Sequence, residues 1–248
     1  MWRIQQLGCS HLLHLLKTLT GFPALQSARL AARMGPISSP EPNNIPMKLY
    51  YSPGACSLSP HICLLEAGLP FEAIKAPIRT HQLPDGSDYH AINPLGYVPL
   101  LELDDGTRLT EGPAIVQYIA DQVPEKNLAP PQGTVARAQL QGWLHFTGTE
   151  LHKGFAPLFN AATPADYKVL VVDTLMSRLK WVDQQLAGKQ YLMGDRFTVA
   201  DPYVFNVTNW AALVKVDLTG FAHLAAFRVR MAGRPAVQAA MRAEGLLK

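Results

Sequence analysis

Residues 50–61 read Tyr50-Tyr51-Ser52-Pro53-Gly54-Ala55-Cys56-Ser57-Leu58-Ser59-Pro60-His61, and the rest of the fold is organised around them. A short apolar strand pattern ends at Ser52, where a proline and a glycine favour a loop, and a helical pattern begins near Ser57. Cys56 lies between the two. Backbone N–H groups at a helix start are unpaired and the helix dipole is positive there, so a thiolate on the protein or on a bound ligand is favoured. The stretch predicts a thiol site around Cys56.

The elements that flank this stretch predict a β-α-β unit. Residues 48–51 form the first strand, and residues 57–67 form a helix whose apolar residues recur every three to four positions. Gly68 follows as a left-handed helix stop. Residues 71–76 alternate in polarity as a second strand, and this strand is expected to run parallel to the first because a helix crosses over between them.

A hairpin and a further helix are predicted next. Pro99 precedes a strand at residues 100–103, and Asp105-Gly106 is a strong signal for a type I′ turn. The segment 110–113 then begins an amphipathic helix. The order βαβ followed by ββα is the thioredoxin arrangement, so residues 47–123 are expected to form a thioredoxin-like α/β domain.

The second half of the chain lacks strand signals. Residues 124–133 hold three prolines and a glycine and are interpreted as a linker. Residues 134–248 are expected to form an all-α helical bundle, because they contain amphipathic segments at about 134–160, 165–187, 199–214, 223–232 and 236–243. Within them, Thr198-x-x-Asp201 is typical of a capping box, so we assign Asp201 a structural role.

Composition and charge narrow the class of function. The chain has 248 residues, a hydrophobic content of 48% and a formal net charge of +3, which indicate a soluble globular protein without the basic face that nucleic-acid binding requires. Cys9, Cys56 and Cys63 form neither a disulfide framework nor a set of metal ligands. We therefore expect a reducing compartment and no metal, nucleic-acid or membrane partner.

Residues 1–46 differ from the rest in charge. The segment contains four basic residues, Arg3, Lys17, Arg29 and Arg33, and one acidic residue, Glu41. It therefore accounts for the positive net charge of the chain. In composition it resembles a mitochondrial presequence, while polar residues interrupt the apolar run that a secretory signal would need. The alternative is a disordered leader, or a start assigned too far upstream. The apolar run is too short to span a bilayer.

Five motifs, in order, resemble one family. They are the segments Tyr51–Ser57, Asn93–Pro99, Leu109–Gly112, Glu150–Phe155 and Arg196–Asp201. Together they are similar to glutathione S-transferases of the bacterial beta class, over essentially all of residues 47–248. The resemblance implies a cytoplasmic, homodimeric glutathione transferase that conjugates reduced glutathione, as its co-substrate, to hydrophobic electrophilic small molecules in detoxification.

The resemblance also assigns roles to residues. Taken alone, Pro99 favours a trans peptide bond; the resemblance implies a cis bond after Val98, which would turn the Val98 backbone toward the cysteinyl part of glutathione. Taken alone, Glu111 is a solvated first-turn acid; the resemblance implies that it and Gly112 hold the γ-glutamyl end. His81 stands where the family often has a lysine for the glycyl carboxylate.

The resemblance implies that Cys56, Ser57 and His152 are catalytic. It implies a glutathione-binding set of Cys56, His81, Val98, Pro99, Glu111, Gly112, His145, Thr149, Glu150, Leu151, His152 and Lys153. If the segment 134–160 is one α-helix, His145, Thr149 and His152 share a face. Asparagine is usual in the family at the position of His145. A lone helical histidine is otherwise a surface or core residue.

The role of Cys56 admits two enzymatic interpretations. It could polarise the thiol of glutathione, or it could form a mixed disulfide with it. The second would make the protein a glutathione-dependent thiol-disulfide oxidoreductase or peroxidase. Cys63 lies outside any CxxC spacing and is expected to be buried. A further alternative is a non-catalytic ligand-binding protein with the same fold.

Overall fold

A mixed four-stranded sheet forms the N-terminal half of the structure, a computed structural model that describes residues 47–247. Its strands are β1 (Met47–Tyr51), β2 (Phe71–Lys75), β3 (Leu100–Glu102) and β4 (Arg108–Thr110), in the order β2-β1-β3-β4. Strand β1 pairs in parallel with β2 and antiparallel with β3, which pairs antiparallel with β4. This is the predicted thioredoxin-like arrangement. The interpretations of residues 1–46 lie outside the described residues.

Two helices complete this half. Helix α1 (Leu58–Ala67) connects β1 to β2, and α2 (Gly112–Gln122) follows β4. Gly68 ends α1 in the left-handed conformation, with a φ of 67°, as predicted from its position. Helix α1 is buried on most of its surface because α2 and the helical half both pack against it, and Ile62 and Cys63 are wholly inaccessible to solvent.

The turn between β3 and β4 differs from the prediction. The hairpin is present, but a type I′ turn needs two residues with positive φ, and within the loop only Gly106 has one, at 83°. The Gly106 N–H donates to the Leu103 carbonyl at 3.0 Å, and the Leu103 N–H donates to the Thr107 carbonyl at 2.8 Å. The loop therefore has three residues, 104–106, and combines a type I turn with a glycine bulge.

Helices make up the remainder of the described chain. They are α3 (Val135–Phe146), α4 (Lys153–Phe159), α5 (Ala165–Leu186), α6 (Asp201–Leu213), α7 (Ala222–Ala232) and α8 (Pro235–Ala243). The predicted all-α organisation is therefore present. Residues 47–247 lie within one compact unit. The division at residues 124–133 stays a prediction; this stretch holds a 3-10 turn, and the Leu128 carbonyl accepts a bond from the Val199 N–H at 2.9 Å.

The first long helix is not one continuous α-helix. A π-helical segment, Thr147–His152, separates α3 from α4. A π-turn holds more residues than an α-turn, so it rotates everything that follows about the helix axis. His145 and Thr149 remain neighbours, since the Thr149 hydroxyl donates to the His145 carbonyl at 3.0 Å, but both are exposed while His152 turns inward. The prediction that all three share one face is wrong for this reason.

The predicted capping box is present in part before α6: Thr198 bonds to Asp201, but the residue at the cap position is Ala200, which makes no side-chain capping bond. The Thr198 N–H and hydroxyl donate to one oxygen of the Asp201 carboxylate at 2.7 and 3.0 Å, and the Leu192 N–H donates to the other at 2.9 Å. The Asp201 side chain is wholly buried, and burial raises its pKa to about 6 against these stabilising bonds. No helix between residues 47 and 247 is both long enough and apolar enough to cross a membrane.

Candidate active site

The loop that carries Cys56 is held by three side chains of the helical half. The Gly54 N–H donates to the Glu244 carboxylate at 2.9 Å, and the Trp210 indole N–H donates to the Gly54 carbonyl at 2.8 Å. The Asn206 amide donates to the Ala55 carbonyl at 2.8 Å. A loop that lacks regular secondary structure satisfies its backbone groups in this way, and its position depends on the packing of α6 and on Glu244 just after α8.

Ser57 belongs to the frame of this loop. Its hydroxyl donates to the Ser52 carbonyl at 3.2 Å and accepts from the Ser52 N–H at 3.1 Å, and the residue is wholly buried. The hydroxyl is thus bonded to the backbone of the same loop. The backbone N–H groups of Cys56 and Ser57 point toward the Cys56 sulfur, and both lower the pKa of that thiol.

The Cys56 thiol lies against the Val98 backbone. Its S–H donates to the Val98 carbonyl at 3.1 Å, and the peptide bond from Val98 to Pro99 is cis. Burial, together with the charge of Glu111, raises the pKa of Cys56 to about 12, although the backbone N–H groups of residues 56 and 57 and the charge of Lys153 lower it. Desolvation therefore outweighs the helix start, and Cys56 is a neutral hydrogen-bond donor at neutral pH, not the thiolate that its position alone would favour.

Pro99, Glu111 and Gly112 lie next to this pair. A Cβ atom added to Gly112 would lie 3.7 Å from the Pro99 ring, so the start of α2 packs on the cis proline. Glu111 precedes α2 in a backbone conformation with a φ of 65°, and its side chain is exposed. Within residues 47–247 the Glu111 carboxylate makes no capping hydrogen bond to the start of α2. It remains available for a ligand.

His152 contacts two aromatic side chains of α6. Its Nδ1 atom lies 2.8 Å from the Tyr203 hydroxyl, and its ring meets the Trp210 ring edge to face with centroids 4.8 Å apart. Burial, followed by the charge of Lys153, lowers the pKa of His152 to about 4, so the imidazole is neutral. Because Trp210 also bonds to Gly54, one indole links His152 to the Cys56 loop.

Lys153 and Tyr203 also lie near Cys56, as their effects on the pKa values in this cluster indicate. The exposed Lys153 lowers the pKa of both Cys56 and His152, which places its charge close to both. Burial raises the pKa of Tyr203, and the nearby groups Cys56 and Glu111 raise it further. The structure thus brings together Cys56, Val98, Pro99, Glu111, Gly112, His152 and Lys153.

Four predicted residues contact other parts of the described chain. Leu151 is wholly buried in the core, and the Glu150 carboxylate binds Arg178 of α5 at 2.7 Å. His145 and Thr149 are exposed, and His145 Nδ1 lies 2.8 Å from the Gln141 carbonyl oxygen. Their contact with glutathione stays a prediction.

His81 lies beside Gly96, at the start of the loop that leads to Val98. Its backbone is left-handed, with a φ of 52°, and its ring packs against His90 with centroids 4.2 Å apart. A Cβ atom at Gly96 would come within 2.7 Å of the His81 ring, so only glycine fits there. Its predicted role toward the glycyl carboxylate also stays a prediction.

Several contributors have no recognisable signal in the sequence. Tyr203, Asn206 and Trp210 occupy an almost wholly buried helix that reads as core, and Glu244 lies near the end of the chain, where a solvated acid is the ordinary expectation. The apolar period of α6 locates the helix but not the polar atoms that reach across to residues 54–55. Only long-range packing reveals them.

Two segments of the chain match the domains of one protein family. Residues 54–122 match the domain described as the N-terminal domain of glutathione S-transferase, and residues 146–235 match the domain described as its C-terminal domain. These two segments contain all the residues named above around Cys56 except Ser52 and Glu244. The order of the two matches is the order of the thioredoxin-like and helical halves.

Individual relatives agree with this match. The chain is 50% identical over 200 residues to glutathione S-transferase GstA of Escherichia coli O157:H7, covering 81% of this chain and 100% of the relative. It is similar to a sphingomonad glutathione S-transferase complexed with glutathione (44% identity, TM-score 0.77) and to a bacterial beta-class glutathione S-transferase of Sphingomonas chungbukensis (44%, 0.78). Both structural matches cover 81% of this chain and 100% of the other. The chain belongs to the glutathione S-transferase family, and its structural neighbours include the bacterial beta class that its motifs resemble.

Proposed function

We propose that the protein is a glutathione transferase that conjugates reduced glutathione to electrophilic small molecules. The observation that carries this proposal is the 3.1 Å hydrogen bond from the Cys56 thiol to the Val98 carbonyl, next to the cis Val98–Pro99 bond. It places a neutral S–H donor beside the backbone of Val98. An extended peptide that pairs with Val98 would bring its own cysteine sulfur to the Cys56 thiol.

The binding mode follows from the groups that remain available. The Val98 N–H donates no hydrogen bond within residues 47–247, and its carbonyl oxygen has a second lone pair. Both can pair with the cysteinyl backbone of glutathione. The exposed Glu111 carboxylate can take the γ-glutamyl ammonium, while backbone N–H groups at the start of α2 can take its carboxylate.

In this mechanism Cys56 donates a hydrogen bond to the sulfur of glutathione and is not itself the nucleophile. Bound glutathione loses its thiol proton to solvent, and the Cys56 S–H, with the N–H groups of residues 56 and 57, stabilises the thiolate that remains. Lys153 adds a favourable charge. The glutathione sulfur then forms a bond to the electrophilic carbon, and the leaving group departs with its electron pair. Each tenfold gain in thiolate corresponds to about 1.4 kcal/mol.

The alternative function, a thiol-disulfide oxidoreductase or peroxidase, needs a different role for Cys56. It requires the Cys56 thiolate as a nucleophile, and burial raises the pKa of that thiol to about 12. The other described cysteine, Cys63, is wholly buried on α1 and is unavailable to resolve a mixed disulfide. These two observations favour conjugation.

Conjugation to 1-chloro-2,4-dinitrobenzene and reduction of hydroxyethyl disulfide, measured side by side with the full-length protein, test the proposal. We expect conjugation by the wild type, by Cys63→Ala and, at a reduced rate, by Cys56→Ser, which keeps a donor at this position. Disulfide reduction that disappears in Cys56→Ser while conjugation is absent from the wild type would support the oxidoreductase instead. Binding of glutathione without either activity would support a ligand-binding protein.

The setting of the reaction is part of the same proposal. We infer a role in detoxification in the cytoplasm, with hydrophobic electrophiles as second substrates and a homodimer as the assembled form. Trp143, Phe146 and Trp181 form an aromatic cluster on α3 and α5, with ring centroids 4.6–6.1 Å apart. This cluster supports an apolar contact between the two subunits of the proposed homodimer. Sedimentation analysis of the full-length chain distinguishes a dimer from a monomer.

A further inference from the structure

A cleft of about 580 Å³ lies between the thioredoxin-like half and the helical half. Its walls are the end of α1, the turn after α2, the loop between α5 and α6, and Arg234 just before α8. Small-molecule sites typically have volumes of roughly 300–1,000 Å³. None of the residues that line this cleft belongs to the glutathione-binding set, so it is separate from the site around Cys56.

The edges of the Arg234 guanidinium are fully used. Its Nε and one terminal nitrogen donate to the two oxygens of the Glu66 carboxylate at 2.7 and 2.9 Å. The other terminal nitrogen donates to the Tyr191 hydroxyl at 2.9 Å. Guanidinium N–H groups lie in the plane of the group, so these bonds hold its plane in one orientation and leave only its two faces.

One of the two faces is covered by Phe197. The central carbon of the Arg234 guanidinium lies 4.0 Å from the centroid of the Phe197 ring, which is a stacking distance. The Tyr191 ring is nearly perpendicular to that of Phe197, at 89°, so it borders the edge of the guanidinium. The Arg234 side chain is nevertheless 25% exposed and lines the cleft. The second face is therefore the part of the guanidinium that remains open to the cleft.

Two further cations line the cleft. Lys126 and Arg196 are exposed, and neither side chain forms an ion pair or a hydrogen bond with another residue of the described range 47–247. The lining acids are Asp195 and Glu66, and Glu66 is held by Arg234. Three basic residues against two acidic ones leave an excess of one positive charge, which favours a negatively charged ligand.

We propose that this cleft binds a planar aromatic compound that carries an anionic group. The ring stacks on the open face of Arg234, and the anionic group lies close to Lys126 and Arg196. A planar, delocalised guanidinium is suited to stacking, whereas the two exposed cations are suited to a charged oxygen group. No residue of this site takes part in the proposed conjugation, so each proposal can fail without the other.

Calorimetric titration of the full-length protein with naphthalene-2-sulfonate at neutral pH tests this proposal. We expect Lys126→Gln and Arg196→Gln each to weaken binding about threefold, and the double variant about tenfold, as for exposed ion pairs. Arg234→Lys keeps the charge but loses the planar face, and should weaken binding about tenfold. Lys180→Gln removes an exposed lysine of α5 outside the cleft and should bind as the wild type does.

Two control ligands test the charge and the ring separately. Methanesulfonate carries the charge without the ring, and 2-naphthol, which is neutral at this pH, carries the ring without the charge. Each should bind about tenfold or more weakly than naphthalene-2-sulfonate. No binding to the wild type, or equal affinity in the wild type and a double variant shown by circular dichroism to be folded, would overturn the proposal. Equal binding of methanesulfonate would also overturn it, because the ring would then contribute nothing.

Discussion

The His61 imidazole and the Glu244 carboxylate lie 2.9 Å apart in the interior, with their side chains 3% and 0% exposed. They join α1 of the thioredoxin-like half to the segment after α8 of the helical half. The second carboxylate oxygen of Glu244 accepts the Gly54 N–H at 2.9 Å. One side chain near the end of the chain therefore connects a buried histidine with the loop that carries Cys56.

Glu244→Ala should destabilise the protein and weaken glutathione binding together. The change leaves His61 and the Gly54 N–H without their acceptor in the interior, and each unsatisfied buried group costs about 1–3 kcal/mol. Urea unfolding gives the stability, and KM for glutathione gives the effect on the loop. Glu244→Gln keeps an acceptor for Gly54 and should retain a lower KM than Glu244→Ala. Equal KM values in the wild type and in both variants would show that glutathione binding by the Cys56 loop does not depend on Glu244.

Tyr203→Phe should lower kcat/KM with little effect on folding. It removes the hydroxyl 2.8 Å from His152 Nδ1 and frees the imidazole to change its tautomer and orientation. The loss of one hydrogen bond of about 1–1.5 kcal/mol corresponds to a decrease of roughly tenfold. Tyr191→Phe is the matched control, because that hydroxyl bonds to Arg234 and not to the cluster. Similar rates in both variants would assign Tyr203 to packing alone.

Asp201→Ala should cost stability before it costs activity. The Leu192 and Thr198 N–H groups would lose their buried acceptor, and an unsatisfied buried group costs about 1–3 kcal/mol. The free energy of unfolding should fall by about 3 kcal/mol or more. At a temperature where the variant is fully folded, kcat/KM should match the wild type. A large loss of kcat/KM under those conditions would contradict the structural role.

Acidification should destabilise the fold partly through His152. Burial lowers the pKa of this imidazole to about 4, below its usual 6.5, so between these values the unfolded chain binds a proton that the folded chain does not. The contribution of His152 to stability is present above about pH 6.5 and is lost as the pH falls toward 4. His152→Asn should show a shallower decline over this window, and His223→Asn should follow the wild type. Parallel declines in all three would contradict this assignment.

Local signals predicted most of the fold. Gly68 ends α1, and Thr198 bonds to Asp201 at the start of α6, because each of these features depends on neighbouring residues. The hairpin shows the limit of such a signal. Asp105-Gly106 correctly marks a turn, but the register of β3 against β4 decides that the loop has three residues.

The site was less accessible from the sequence. The cysteine, the proline and the motif at Glu111 could be identified through the resemblance, but the environment of Cys56 could not. The helix start suggests a thiolate, whereas packing buries the sulfur and raises its pKa to about 12. The π-helical segment is a second feature that the sequence does not predict. It turns His152 toward Tyr203, and no pattern of residues indicates it.

The pH dependence of kcat/KM for conjugation, in the wild type and in Cys56→Ala, tests the role of Cys56 most directly. With glutathione saturating and kcat/KM taken for the electrophile, the form that titrates is the enzyme–glutathione complex. Neither Cys56 nor His152 titrates between pH 6 and pH 9, so the profile reports the thiol of bound glutathione. A donor to a charged acceptor contributes about 1.5–3 kcal/mol, so the apparent pKa should be lower in the wild type than in Cys56→Ala by about 1–2 units. Superimposable profiles would contradict the account, because Cys56 would then have no part in stabilising the glutathione thiolate.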